Sequence, residues 1–210
     1  LNDAALTGTI LTGANLFNTK SGNIQGAPAS LPTNYKLVHG YIFGPYANLT
    51  YANFTDIDLK NQNWFRVNLT NAVLTGADLT GANIDSVEAT YLTGVRSGNI
   101  IGQPGSLPPS YVMRNRFILG PNVNLTNADL SDANLTNAVL TNANLTGANL
   151  TGVTSGNIQG RPASLPTNYH LVNGYILGPG VNLTGANLRF VVLRSFIKLN
   201  GANLSSANLT

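Results

Sequence analysis

Imidazole is the side chain best suited to moving protons near neutral pH, and the chain has two, His39 and His170. Neither sits in a motif. No G-x-S-x-G, H-E-x-x-H, phosphate-cradling glycine loop or cysteine nucleophile accompanies them. Asp56 and Asp58 put two carboxylates on one face of an extended segment, but each also fills an ordinary slot of the pattern described below. Asp129 and Asp132 are too irregular for a calcium loop. With no cysteine in the chain, disulfides and cysteine-based metal sites are excluded. No catalytic residue, metal ligand or cofactor is therefore expected. The chemistry open to this chain is that of surfaces.

Two kinds of surface residue stand out. Thr126, Thr136, Thr141, Thr146 and Thr151 each follow a leucine, and uncharged Thr and Asn rows can order water or meet a carbohydrate. Their simpler role is β-propensity on an exposed strand. Tyr35, Tyr111 and Tyr169 recur in three related segments, where an aromatic stripe could stack on sugar rings or bind another chain. Their simpler role is a satellite core. Phe65, Phe190 and Phe196 complete the candidate contact surface. Phe190–Leu193 with Phe196-Ile197 makes a locally apolar outer face, the best place for a lateral contact. Trp64 reads as oversized core. The many Asn-x-Thr triplets match glycosylation acceptors, but the pattern generates them automatically.

That pattern positions everything else. Leu125, Leu130, Leu135, Leu140, Leu145 and Leu150 fall every five residues, with Ala two positions before most of them. The same phase holds from Leu49 through Phe54, Leu59, Trp64, Leu69, Leu74 and Leu79 to Ile84. Five fits neither the helix period nor the strand period. Within each unit, however, Ala and Leu are two apart and share one side of an extended piece. The Thr-Gly or Thr-Asn that follows has turn chemistry. Each unit is therefore a three-residue strand and a corner, and repetition winds a coil with Ala and Leu inside.

The A-[N/D]-L-x-x motif, recurring some twenty times, resembles that of the pentapeptide-repeat family. The resemblance implies an all-β fold, a right-handed quadrilateral β-helix with four pentapeptides per coil and coils about 4.8 Å apart. Stacking buries a leucine face that one coil cannot bury alone, at about 1.5–3 kcal/mol per leucine. Some members of the family inhibit gyrase through acidic, DNA-like surfaces. Eight acidic against eleven basic residues argue against that here.

Three related stretches, 19–48, 95–124 and 153–182, break the phase. Each holds an SGNI turn, a Gly/Pro stretch and a Tyr-led apolar run expected to be a β-hairpin. Asn173-Gly174 is a strong hairpin turn. His39-Gly40 stands in its place in the first copy and Asn115-Arg116 in the second, where the lack of glycine predicts a different turn. The spacing of the copies suggests inserts on one side of a single solenoid through 1–210, itself a segment of a longer array.

Charged residues are only 9% of the chain, against about 25% in an ordinary domain. Its basic residues are scattered, which is no nucleic-acid footprint, and no apolar run approaches a membrane span. The expectation is a non-enzymatic structural solenoid that associates with itself, end to end or laterally, into an extracellular or cell-surface fibre. The alternative is a module binding polysaccharide or ice.

Overall fold

The computed structural model describes residues 1–84 and 86–210. Asp85, in the phase slip between Ile84 and Leu92, lies outside them. The chain falls into two compact units, Leu1–Pro109 and Ser110–Thr210, each a stack of coils.

The corner explains the pentapeptide. Ala128 N–H donates to Leu125 O at 3.0 Å, closing a four-residue turn whose third member, Asn127, has φ of 57°. A positive φ at that place is the signature of a type II turn. Asn, Asp and Gly fill most such corners because they tolerate the left-handed region. The residue before each leucine acts as well: Asn68 Oδ1 accepts from both the N–H and the hydroxyl of Thr70, at 3.0 and 2.7 Å. The A-[N/D]-L-T-[N/G] alphabet is thus a small inward pair, a corner-capping amide and a left-handed hinge.

Coils stack in parallel with a register of 20 residues. In the second unit Asn124 pairs with Asn144, Asp129 with Asn149, Asn134 with Thr154 and Val139 with Gln159. In the first, Asn48, Asn53, Asp58 and Asn63 pair with Asn68, Val73, Asp78 and Asn83. Four faces of five residues make the right-handed quadrilateral β-helix. Its lumen is lined by aliphatic side chains, with Leu69, Leu74, Leu79, Leu130, Leu135, Leu140 and Leu145 fully buried. Trp64 is equally buried, as a core residue, against Phe43 and Phe54 at ring distances of 5.7 and 6.4 Å.

The inserts are shorter than the sequence suggests. The phase does not break at their first residue. Thr154, Gln159 and Ser164 still pair 20 residues back, with Asn134, Val139 and Asn144. Asn2, Ala5 and Ile10 likewise pair with Gly22, Gln25 and Ser30. Three faces of the coil are laid down before the chain departs. The hairpin replaces the fourth, so Thr154 pairs onward with Asn182 and Lys20 with Asn48, a register of 28. Only eight residues are truly extra. The leucine signal is lost earlier because Ser21, Ser97 and Ser155 occupy inward slots, all buried.

The three hairpins pair β1 (Lys36–Val38) with β2 (Tyr41–Phe43), β3 (Val112–Arg114) with β4 (Phe117–Leu119), and β5 (His170–Val172) with β6 (Tyr175–Leu177). Each turn has two residues with positive φ, at 46° and 78°, 45° and 64°, and 48° and 78°. The turn expected to differ does not: Arg116 takes the left-handed conformation that glycine takes in the other copies. Positive φ at both positions matches the twist of the flanking strands, and the shared register outweighs the cost at one residue.

Each hairpin crosses between coils. Ile42 N–H donates to Ser21 Oγ at 2.8 Å, and Ile176 N–H to Ser155 Oγ at 2.9 Å. A serine in the leucine slot therefore supplies both room and an acceptor. Further along, Ile24 N–H donates to Gly40 O and Asn53 N–H to Tyr41 Oη, both at 3.0 Å. Ile158 to Gly174 O and Asn187 to Tyr175 Oη repeat this in the third copy. The hairpin is a wedge that satisfies the backbone groups it separates.

Inserts on one side are not what the second unit shows. The Asn115 amide donates to Ser131 O at 3.1 Å, so the second hairpin ends at the Asp129 corner. The third ends at Asn187, one face beyond Asn182 and hence on the column of Val139 and Gln159. Asp129 and Val139 are two faces apart, on opposite sides of the coil. The physical reason is that 58 residues separate the inserts and eight belong to a hairpin. The remaining ten faces make two and a half turns.

Smaller slips are absorbed by single coils. The 3-10 turn Ala89–Leu92 lengthens one to a register of 23, and the step between Leu193 and Leu199 lengthens another to 21.

Candidate binding surfaces

The residues with acid–base chemistry are corner fittings. His39 opens a hairpin turn in the first unit, and His170 in the second meets the edge of Phe196 at 5.0 Å. Asp56 is a left-handed corner. Asp58 shares Lys60 with Asp78, at 3.6 and 3.0 Å. A hydrogen bond from the Thr80 hydroxyl holds the Asp78 carboxyl below its ordinary range, and the Ser131 hydroxyl does the same for Asp129. Asp132 is again a corner. Among the described residues no three His, Asp or Glu side chains gather where they could hold a metal. Nor is any described helix long and apolar enough to cross a membrane.

The three insert tyrosines act as struts. Tyr35, Tyr111 and Tyr169 donate to the carbonyls of Pro45, Pro121 and Pro179 at 2.7, 2.9 and 2.8 Å. Their rings lie flush on Gly44, Gly120 and Gly178. Tyr35 and Tyr169 are half-buried and Tyr111 is buried. Burial alone pushes the Tyr111 hydroxyl up to about 12. Its neutral form is the one the fold holds, so its contribution is complete below pH about 10 and lost as pH climbs toward 12. Titration followed by tyrosinate absorbance should show one group ionising late, together with loss of β-structure in the wild type. Tyr111→Phe should delay that unfolding.

The threonine rows have a structural job too. The hydroxyls of Thr50, Thr55, Thr70 and Thr80 donate to Asn48, Asn53, Asn68 and Asp78 at 2.9, 2.6, 2.7 and 2.6 Å. In the row singled out from sequence it is the N–H of Thr126, Thr136, Thr146 and Thr151 that donates to the corner Asn, while the Thr146 hydroxyl donates to Ser164 Oγ at 2.8 Å.

Phe65 is 40% exposed and belongs to a row invisible in the leucine phase. Asn18 N–H donates to Tyr46 O, and Tyr46 N–H to Phe65 O, so one corner carries aromatics through successive coils. Phe17 and Tyr46 are 4.9 Å apart and Tyr46 and Phe65 5.6 Å. The Arg66 guanidinium lies 5.7 and 5.9 Å from the last two rings and pairs with Glu88 at 3.5 Å. Phe17 and Tyr46 were not singled out from sequence. The available signal was an aromatic in the threonine slot, as in Leu16-Phe17 and Trp64-Phe65.

In the second unit Phe190 is 83% exposed, Val192 72% and Phe196 52%. Phe190 holds φ of 60° at a corner that Asn, Asp or Gly fills in most coils and that Tyr46, Tyr51 and Arg66 fill in the first unit, with Arg189 5.1 Å over its ring. A bulky residue there is a genuine outlier.

Comparison with known proteins agrees with this architecture. A family model described as pentapeptide repeats matches residues 52–88 and 122–154, with eight copies. No curated protein matches. Among solved structures, HetL, described as a pentapeptide repeat protein involved in heterocyst differentiation regulation from the cyanobacterium Nostoc sp. strain PCC 7120, is 26% identical over 99% of this chain and 84% of its own, with a TM-score of 0.26. QnrB1, described as a plasmid-mediated fluoroquinolone resistance protein, is 15% identical over 97% of this chain and 89% of its own, with a TM-score of 0.25. Superpositions that poor carry no argument about shape or role.

Proposed function

Because this chain is a pentapeptide-repeat protein, we propose that it is a non-enzymatic structural β-solenoid that associates laterally with copies of itself. One observation carries the reading: the exposed apolar face of Phe190, Val192, Leu193 and Phe196. Strain in a backbone is retained where the side chain it displays is useful, and Phe190 is both strained and displayed. The partner that suits this face is a second copy, because 9% charged residues leave little to repel it. Pairing through this one face closes at a dimer, and a fibre would need the coil ends to stack as well. An extracellular or cell-surface setting fits a chain of low charge without cysteine.

Phe190→Asn tests the reading. Removing the ring should weaken self-association at least tenfold by sedimentation velocity. The same change should raise thermal stability by about 1 kcal/mol, since Asn accepts the left-handed corner. Wild-type protein that stays monomeric at high concentration would sink the proposal.

A further inference from the structure

The first hairpin, in parting the coils, opens a cleft of about 410 Å³ between itself and the coil that follows. Four carboxamides, Asn34, Asn61, Gln62 and Asn63, meet the rings of Tyr35 and Phe65, with Lys36 at the side. Among the described residues no carboxylate lines it.

Gln62 is the informative member. Its Nε2 donates to Lys60 O at 3.0 Å, which fixes the orientation of the amide. Its Oε1 is then buried with no donor, as the Trp64 Nε1–H two residues on is buried with no acceptor. A buried acceptor left without a donor destabilises a fold, and such groups in a native protein call for an explanation. In the next coil the N–H before the inward residue reaches back to the preceding coil, as Asn68 does to Ala47 and Asn83 to Gln62, while Asn53 N–H turns to Tyr41 Oη. At Asn63 that place is the cleft.

We propose that this cleft binds a neutral saccharide. A carboxamide presents a donor and an acceptor side by side, which matches the vicinal hydroxyls of a pyranose. An aromatic wall matches the apolar C–H face of the same ring. The volume takes about one or two sugar rings, at the small end of ligand pockets. A polypeptide strand would need a longer opening, and an acidic ligand would need more than one ammonium. Phe65 joins the cleft to the row of Tyr46 and Phe17, so a longer glycan has a continuous aromatic path at the corner. The site lies in the first unit and is independent of the self-association face. It also differs from the tyrosine stripe expected from sequence, since the Tyr35 hydroxyl is committed to Pro45.

Isothermal titration of the full chain with neutral oligosaccharides of two to four residues (β-glucan, mannan and chito-oligosaccharides) tests this. At least one series should bind. Phe65→Ala should weaken it at least tenfold, and so should Gln62→Leu. Gln62→Leu should also leave the unliganded protein as stable as the wild type or more so, because the unmatched acceptor is gone. A merely structural glutamine would lower stability when replaced. Phe190→Asn should bind as the wild type does. Absence of binding at millimolar sugar, binding of acidic oligosaccharides or peptides alone, or affinity untouched by both cleft variants would overturn the proposal.

Discussion

Leu135→Asp should unfold the second unit under conditions where the wild type is fully native. Leu135 is fully buried in the lumen, held by its N–H to Thr154 O at 2.8 Å. A carboxylate there has no cation to meet, since the inward slots beside it are leucine, alanine and the Ser155 hydroxyl. An uncompensated buried charge costs about 3–5 kcal/mol. That is a large part of the about 5–15 kcal/mol that holds an ordinary domain together. Asn134→Asp, one residue away on the exposed strand face, should change stability by less than about 0.5 kcal/mol. Its Oδ1 can still accept from Thr136 N–H, as Asp58 and Asp78 do for Lys60 and Thr80. Urea denaturation of the pair decides the matter. Equal midpoints would mean that the side chains every five residues do not fill the coil.

Gly178→Ala should unseat the third hairpin. A Cβ there would lie 2.2 Å from Cδ1 of Tyr169, with further ring carbons at 2.7 Å. The ring has no easy escape, because its hydroxyl is bound to Pro179 O beside the same glycine. Overpacking a rigid contact costs about 1–3 kcal/mol, and this one belongs at the upper end. Hydrogen exchange should show loss of protection at Ile176 and Leu177 before the flanking coils open. The double variant Tyr169→Ala/Gly178→Ala should be less damaged than the sum of the two single changes, a coupling of about 0.5–3 kcal/mol. Strict additivity would mean that ring and glycine do not press on one another.

How far these features were legible follows from what each residue has to do. Lumen and coil register could be read because one residue type recurs at one slot, and every leucine solves the same packing problem. Trp64 was readable for the same reason. The hairpin strands announced themselves through Asn173-Gly174. The true insert length was hidden because Ser21, Ser97 and Ser155 occupy leucine slots, Ser21 and Ser155 accepting a hairpin N–H there, so a search for leucine misses three faces that are laid down normally. The bearing of the hairpins was hidden with it. The struts and the aromatic corner needed three dimensions. Tyr35 and Gly44 meet only once the hairpin closes, and Phe17, Tyr46 and Phe65 align only because a register of 28 is followed by one of 20. The cleft at Gln62 exists solely where a hairpin parts two coils.

The 28-residue register has an arithmetic consequence. Because a hairpin adds its eight residues without disturbing the ladder, the number of pentapeptides between two hairpins sets the compass heading of the second. Deleting one pentapeptide between the second and third copies would swing the later hairpin by a quarter turn and leave its own contacts intact. A chain built this way can re-aim whatever its hairpins carry in steps of ninety degrees, simply by losing or gaining five residues at a time.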